Sequence, residues 1–210
     1  MLFGENLRLT VEEAAVAERQ PARPGAGDRV MRADARRNYE RLMTAARDAF
    51  TEHGGDAHLD DIARRAAVGP GTLYRHFPTR EALLAAVYRG DVEEMAARAD
   101  DLAGTLPAGE ALTAWLHLQL EYIKHKRGLG VAVKTMLAAD SETLAWCRDT
   151  MRGALGRLLA RAQADGLVRS DVTAADVLRL VHGVAMASES APEDAVRLLT
   201  IVIDGLRPRE

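Results

Sequence analysis

One proline sets the frame for this chain. Pro78 closes the run GTLYRHFP inside the longer stretch LDDIARRAAVGPGTLYRHFPTREALLAAVY, residues 59–88. Proline lacks a backbone N–H and pushes the residue before it out of the α region, so a helix running into Phe77 must be short. Upstream, Gly69-Pro70-Gly71 re-aims the chain and opens that helix. Leu73 and Phe77 point to its inner side. Before the turn, Leu59, Ile62, Ala63 and Ala66 form the inner face of another short helix, and Val68 plugs the corner. After the proline, Thr79 caps a longer helix with Glu81 in its electropositive first turn. Small apolar residues therefore stand where two helices touch, while Thr72, Tyr74, Arg75 and His76 face away. The pattern is a helix–turn–helix with a decorated outer face.

The rest of the chain continues in helices. The first strong helix is expected over residues 33–53, where Leu42, Ala45, Ala46, Ala49 and Phe50 fall on one stripe and Tyr39 extends it a turn back. Gly54-Gly55 ends it, and Asp56 or His58 is a candidate cap for the next. Beyond Thr79, breaks at Gly104 and Pro107, Gly128 and Gly130, Asp165-Gly166, and Pro192 divide the remainder. They imply helices to about Ala103, over Gly109–Lys126, in VAVKTMLAA, over Glu142–Ala164 with Ser141 as cap, over Ala174–Glu189 capped by Thr173, and from Pro192 to Leu206. Alanine is plentiful and aromatics are few, which favours helix over sheet. The fold class is all-α, with about nine helices. Residues 1–30 read as an extension and linker: Thr10 and Glu13 suggest a capping box, and QPARPGAGD a connector. Residues 31–78 form the helix–turn–helix domain and 79–210 a second helical domain.

Composition narrows the classes. The chain is 210 residues long with a formal net charge of −3, but the charge is unevenly placed. Residues 29–90 carry eleven Lys/Arg against eight Asp/Glu, so the segment holding the helix–turn–helix is the positive one, as an electrostatic footprint on DNA requires. No apolar run approaches the roughly 20 residues that span a bilayer. The N-terminus has neither a basic region nor a sustained apolar core of the secretory type. A single cysteine, Cys147, excludes an internal disulfide framework and fits a reducing cytoplasm.

Residues 33–88, and GTLYRHFPTREALL most of all, resemble the DNA-binding domain of the TetR family, the tetracycline-repressor-like regulators. The C-terminal helices faintly resemble an SbtR-like branch. The chain departs from the family pattern at His58 (commonly threonine), Ala67 (a turn glycine), Gly69 (serine) and Arg80 (lysine). The resemblance implies a regulator that binds double-stranded DNA as a homodimer and releases a palindromic operator when a small apolar effector binds. A helix fits the major groove, and residues near its N-terminal end reach base edges. The DNA-binding candidates are Arg36, Arg37, Pro70, Gly71, Thr72, Tyr74, Arg75, His76 and Arg80. Thr72, Tyr74 and His76 would position the helix, and Arg75, whose fork suits guanine, would carry sequence preference. Arg36, Arg37 and Arg80 would meet phosphates.

Three further constellations admit more than one reading. The last two helices are apolar around much of their circumference, more than burial within one chain needs. Val177, Val181, Val184, Leu198, Ile201 and Val202 are therefore candidates for a dimer interface. Trp115, Leu118, Tyr122, Met136, Trp146 and Met151 gather aromatics and methionines where the family encloses an effector; each is equally compatible with plain core. His117, Glu121 and His125 have the i, i+4, i+8 spacing of metal ligands, but their face lies opposite Leu112, Leu116 and Leu120, which favours a solvated face. No cofactor, metal or catalytic residue is expected. The rival readings are a small helical enzyme using those residues or Cys147, and a DNA-binding module that answers to a protein partner.

Overall fold

The computed structural model describes residues 26–137 and 141–208; the expected helix and linker before residue 26 lie outside them. The chain divides into two compact units, residues 1–36 and 37–210. The described part of the first unit is the opening stretch of helix α1, Ala26–His53. Among the described residues there are nine α-helices and no strand. After α1 come α2 (Leu59–Arg65), α3 (Pro70–His76), α4 (Arg80–Thr105), α5 (Ala108–His125), α6 (Arg127–Met136), α7 (Ser141–Ala164), α8 (Ala174–Ala187) and α9 (Ala195–Gly205).

Most boundaries follow from local chemistry. Thr79 Oγ1 accepts from the Ala82 amide at 3.1 Å and starts α4. Thr173 and Asp176 form a reciprocal capping box at α8. α2 ends in a Schellman motif, with the Val68 amide donating to Ala63 O and the Ala67 amide to Arg64 O. Ala67 occupies the left-handed position of that motif at φ 51°. Gly166 holds the same position after α7 at φ 69° without the steric penalty of a Cβ.

Other boundaries differ from the sequence reading. α1 begins at Ala26 rather than 33. Neither proposed cap for α2 operates: a 3-10 turn at Gly54–Asp56 follows α1, and His58 precedes α2 with no side-chain cap bond. Gly128 and Gly130 do not interrupt the chain, because α6 runs through both. α8 stops at Ala187, where Ser188 turns its hydroxyl back to Val184 O at 2.8 Å. Pro192 opens a 3-10 turn, and α9 follows it. The side chain of Ser141 lies outside the described residues.

Two hydrophobic cores organise residues 37–210. The first joins α1–α3 and the start of α4 through Leu42, Phe50, Ile62, Leu73 and Leu84, and it includes Leu129, Ala132, Val133 and Leu137 from α6 and its end. The second is built on Trp115, Leu116, Leu155, Val181 and Leu199 from α5, α7, α8 and α9. Tyr88 on α4 packs against both. α6 is thus seated in the first core although α5 and α7, its neighbours in sequence, build the second.

Candidate nucleic-acid interface and effector cavity

α3 is a short helix held from behind. Leu73 and Phe77 are buried, and the Phe77 amide closes the helix on Leu73 O at 2.8 Å. Pro70 takes the first turn, where its missing N–H is harmless. Pro70, Gly71, Tyr74, Arg75 and His76 are exposed and Thr72 is half-buried, so the candidates share one outward surface. The Tyr74 hydroxyl donates to Asp60 on α2 at 3.3 Å. Desolvation, and then Asp60, raises the Tyr74 pKa, so the phenol stays a neutral donor. His76 rests edge-on against Tyr39 of α1 at 6.4 Å, and Tyr39 packs on Phe77 at 5.9 Å. Tyr39 therefore braces the outward surface rather than simply extending the core stripe. Among the described residues no acid pairs with Arg75, which leaves its guanidinium available to a base edge.

The arginines differ in their settings. Arg36 and Arg37 are exposed on α1. Arg80 is half-buried, and its guanidinium donates to Gly55 O in the turn after α1. That bond pins the start of α4 to the reader core, a structural use that the phosphate expectation did not include. On α2, Arg65 pairs with Glu52 at 2.8 Å and Arg64 with Asp61.

A cavity of about 740 Å³ opens among α4–α8. Of the six residues expected to line it, Tyr122 and Met151 do. The other four are placed elsewhere. Trp115 is fully buried and spends its indole N–H on Met95 O at 3.0 Å. Leu118 points to solvent. Met136 packs on the first core, its sulfur near Gly55. Trp146 lies under the Arg89 guanidinium at 5.3 Å. The lining that sequence reasoning missed includes polar and cationic side chains, Gln119, Lys126, Lys134, Arg148, Arg152, Arg179 and His182, beside apolar ones such as Ile123, Leu129 and Leu178.

The cavity touches a buried polar link. Asp91 on α4 is 4% exposed; its Oδ1 accepts from Arg47 Nε of α1 at 2.5 Å, and its Oδ2 from the Tyr122 hydroxyl at 3.5 Å. Burial, and then the Asp91 charge, pushes the Tyr122 pKa far up, so the phenol keeps its proton and can only donate there. α6 gives Leu129 and Val133 to both the cavity wall and the first core.

Comparison with known proteins decides what this arrangement is. Residues 42–87 match the profile described as bacterial regulatory proteins, tetR family, and residues 107–208 that of the transcriptional regulator SbtR-like C-terminal domain. The solved structure of the TetR transcriptional regulator SCO0520 from Streptomyces coelicolor is 39% identical, with a TM-score of 0.70 over 81% of this chain and 99% of that one. This chain belongs to the TetR family of transcriptional regulators. A second TetR structure, from Mycobacterium vanbaalenii, is 35% identical over 85% of this chain and 99% of that one, with a TM-score of 0.67. The curated regulator UidR of Escherichia coli K12 is 39% identical over 69 residues, a match spanning 32% of this chain and 35% of UidR.

Against the TetR frame, the remaining candidates sort by burial. Val177, Val181 and Val184 on α8 are buried by this chain's own α5 and α7 core, which corrects their assignment to an interface. Leu198 and Val202 are half-buried and Ile201 is 56% exposed. The outward apolar side chains on these helices are Leu180, Val196 and Ile201. Among the described residues no three His, Cys, Asp or Glu side chains gather in a way that could hold a metal. Glu121 pairs with Lys124 at 3.0 Å and lies 3.4 Å from His125, whereas His117 has its Nδ1 buried rather than solvated. Cys147 is buried in the second core as a packing residue. No helix of the described residues is long and apolar enough to cross a membrane.

Proposed function

We propose that this TetR-family chain is a cytoplasmic, homodimeric repressor that releases a palindromic operator when a small molecule enters the α4–α8 cavity. Residues 31–78 read the DNA, and residues 79–210 bind the effector and dimerise. Arg75, Thr72, Tyr74 and His76 face the major groove, and Arg36 and Arg37 face phosphates. A partner covers Leu180, Val196 and Ile201, and two-fold symmetry sets the recognition helices about 34–36 Å apart on one side of the duplex.

The observation that carries the control step is the double seating of α6. Leu129 and Val133 are shared by the cavity wall and the reader core, and Tyr122 on the cavity wall bonds Asp91, which holds α1 through Arg47. A ligand that displaces α6 or Tyr122 acts on the helices behind α3. Filling the cavity favours the state whose two readers no longer match successive grooves, provided the ligand binds that state more tightly.

The test is a duplex selected by the protein from a random pool, titrated by fluorescence anisotropy at one fixed salt concentration. Arg75→Ala weakens specific binding by about 1–3 kcal/mol for each lost bidentate contact and relaxes the sequence preference. Tyr74→Ala weakens all duplexes alike. Unchanged specific binding in both variants overturns the reader assignment.

A further inference from the structure

The charge around the cavity runs against the charge of the chain. The whole sequence has 28 Lys and Arg against 31 Asp and Glu. The cavity is lined by five Lys and Arg, namely Lys126, Lys134, Arg148, Arg152 and Arg179, with His182 beside them, against Glu189 as the one acid among the described lining residues. Arg152 and Arg179 lean on exposed aspartates of their own helices, at 3.7 Å from Asp149 and 3.4 Å from Asp176. Among the described residues no carboxylate lies within ion-pair distance of Lys126, Lys134 or Arg148. Burial pushes the Lys126 ammonium below its ordinary pKa, the mark of a cation drawn partly out of water.

A second observation lies deeper. Gln119 is 8% exposed, lines the cavity, and has a buried side-chain oxygen with no hydrogen-bond partner. An unmade bond of this kind in a protein interior is costly, and a turn of the Gln119 amide toward the cavity lets a ligand donor remove the penalty. The same cavity is also lined by the apolar side chains of Ile123, Leu129, Met151, Leu178 and Met186. We infer that the cavity takes an organic anion: an apolar body carrying a hydrogen-bond donor toward Gln119 and a carboxylate, sulfonate or phosphate head held at the mouth by Lys126 and Arg148. This departs from the small apolar effector that the family resemblance implied, and it rests on the reading of this cavity as the effector site.

A matched pair of fluorescent probes tests it. 8-Anilinonaphthalene-1-sulfonate and N-phenyl-1-naphthylamine share an aryl amine body and differ by the sulfonate. The full-length protein, wild type and Lys126→Gln/Arg148→Gln, is titrated with each, and the far-UV circular dichroism of the variant confirms its fold. The wild type binds the sulfonate saturably, one per chain and about tenfold or more tighter than the neutral amine, and the double variant removes most of that ratio. Equal affinity for both probes, or a ratio that the variant leaves unchanged, overturns the anion assignment. Release of the selected duplex is recorded in parallel. Release by both probes alike overturns the anion assignment while the effector reading stands. Charge-selective binding without release supports the anion site and shows that the probe binds both states of the protein equally well.

Discussion

Asp91 is the residue whose loss says most about how the two cores are joined. Its carboxylate is 4% exposed and meets Arg47 Nε at 2.5 Å, while Arg47 itself is 26% exposed. Breaking a fully buried ion pair by removing one partner destabilises by about 3–5 kcal/mol, because the other charge is stranded. The two partners are not equally stranded here. Asp91→Ala leaves an arginine that can swing toward water, so the cost falls to about 2 kcal/mol. Arg47→Met leaves a nearly inaccessible carboxylate with the long 3.5 Å contact from Tyr122 as its named donor, and the cost stays near the buried value, about 3–4 kcal/mol. The double variant Arg47→Met/Asp91→Ala strands neither charge and recovers about 1–2 kcal/mol relative to the sum. Urea denaturation followed by far-UV circular dichroism at pH 7 and one protein concentration reads all four proteins. Additive single costs, a smaller loss for Arg47→Met than for Asp91→Ala, or losses under about 0.5 kcal/mol would mean that the pair is not a buried, coupled one.

Other outcomes follow from local features. Ala67→Gly removes the left-handed strain at φ 51° and gives back part of the gain as chain entropy, so stability rises by about 0.5–1 kcal/mol; a thermal melt that does not move upward contradicts it. Gly166→Ala places a Cβ at φ 69° and lowers stability by about 1 kcal/mol by the same measurement. The Thr173 side chain and amide hold the Asp176 carboxylate below its ordinary pKa, so its contribution is present above the unfolded value and fades as pH falls through the folded one. Asp176→Asn therefore flattens the acid limb of a stability–pH curve, and an unaltered limb argues against the capping box. Leu180→Glu/Ile201→Glu puts charges on the outward face of α8 and α9, and light scattering after gel filtration should report monomers; a persistent dimer would place the interface elsewhere.

The reader was legible because backbone chemistry wrote it into the chain. Pro78, the Gly69-Pro70-Gly71 turn and the Thr79 cap fix where α3 begins and ends, and Leu73 and Phe77 fix which face is buried. The cavity was not legible for the opposite reason. Hydrophobic periodicity reports burial without saying whether a void or a neighbour lies beyond. Trp115 and Tyr122 share one helix and one pattern, yet one is packed in the core and the other lines the cavity. The cationic mouth did leave a trace in Arg148 and Arg152 four apart on α7 and Arg179 and His182 three apart on α8, spacings that resemble any solvated helix face until the helices are brought together. The α8 valines illustrate the same limit: an apolar helix wide enough for two neighbours does not reveal which side meets its own chain. α6 was misplaced because its glycines read as breaks, whereas Gly130 lies in open space within a continuous helix.

The central claim is that paired α3 helices read a symmetric DNA site through Arg75. Parallel selection from a random duplex pool with the wild-type protein and Arg75→Ala tests it most directly. The wild type enriches a two-fold symmetric site with half-sites about one helical turn apart, and the variant loses preference at one symmetric pair of positions. A wild-type protein that enriches no site, or a variant that enriches the same site with the same affinity, would contradict it.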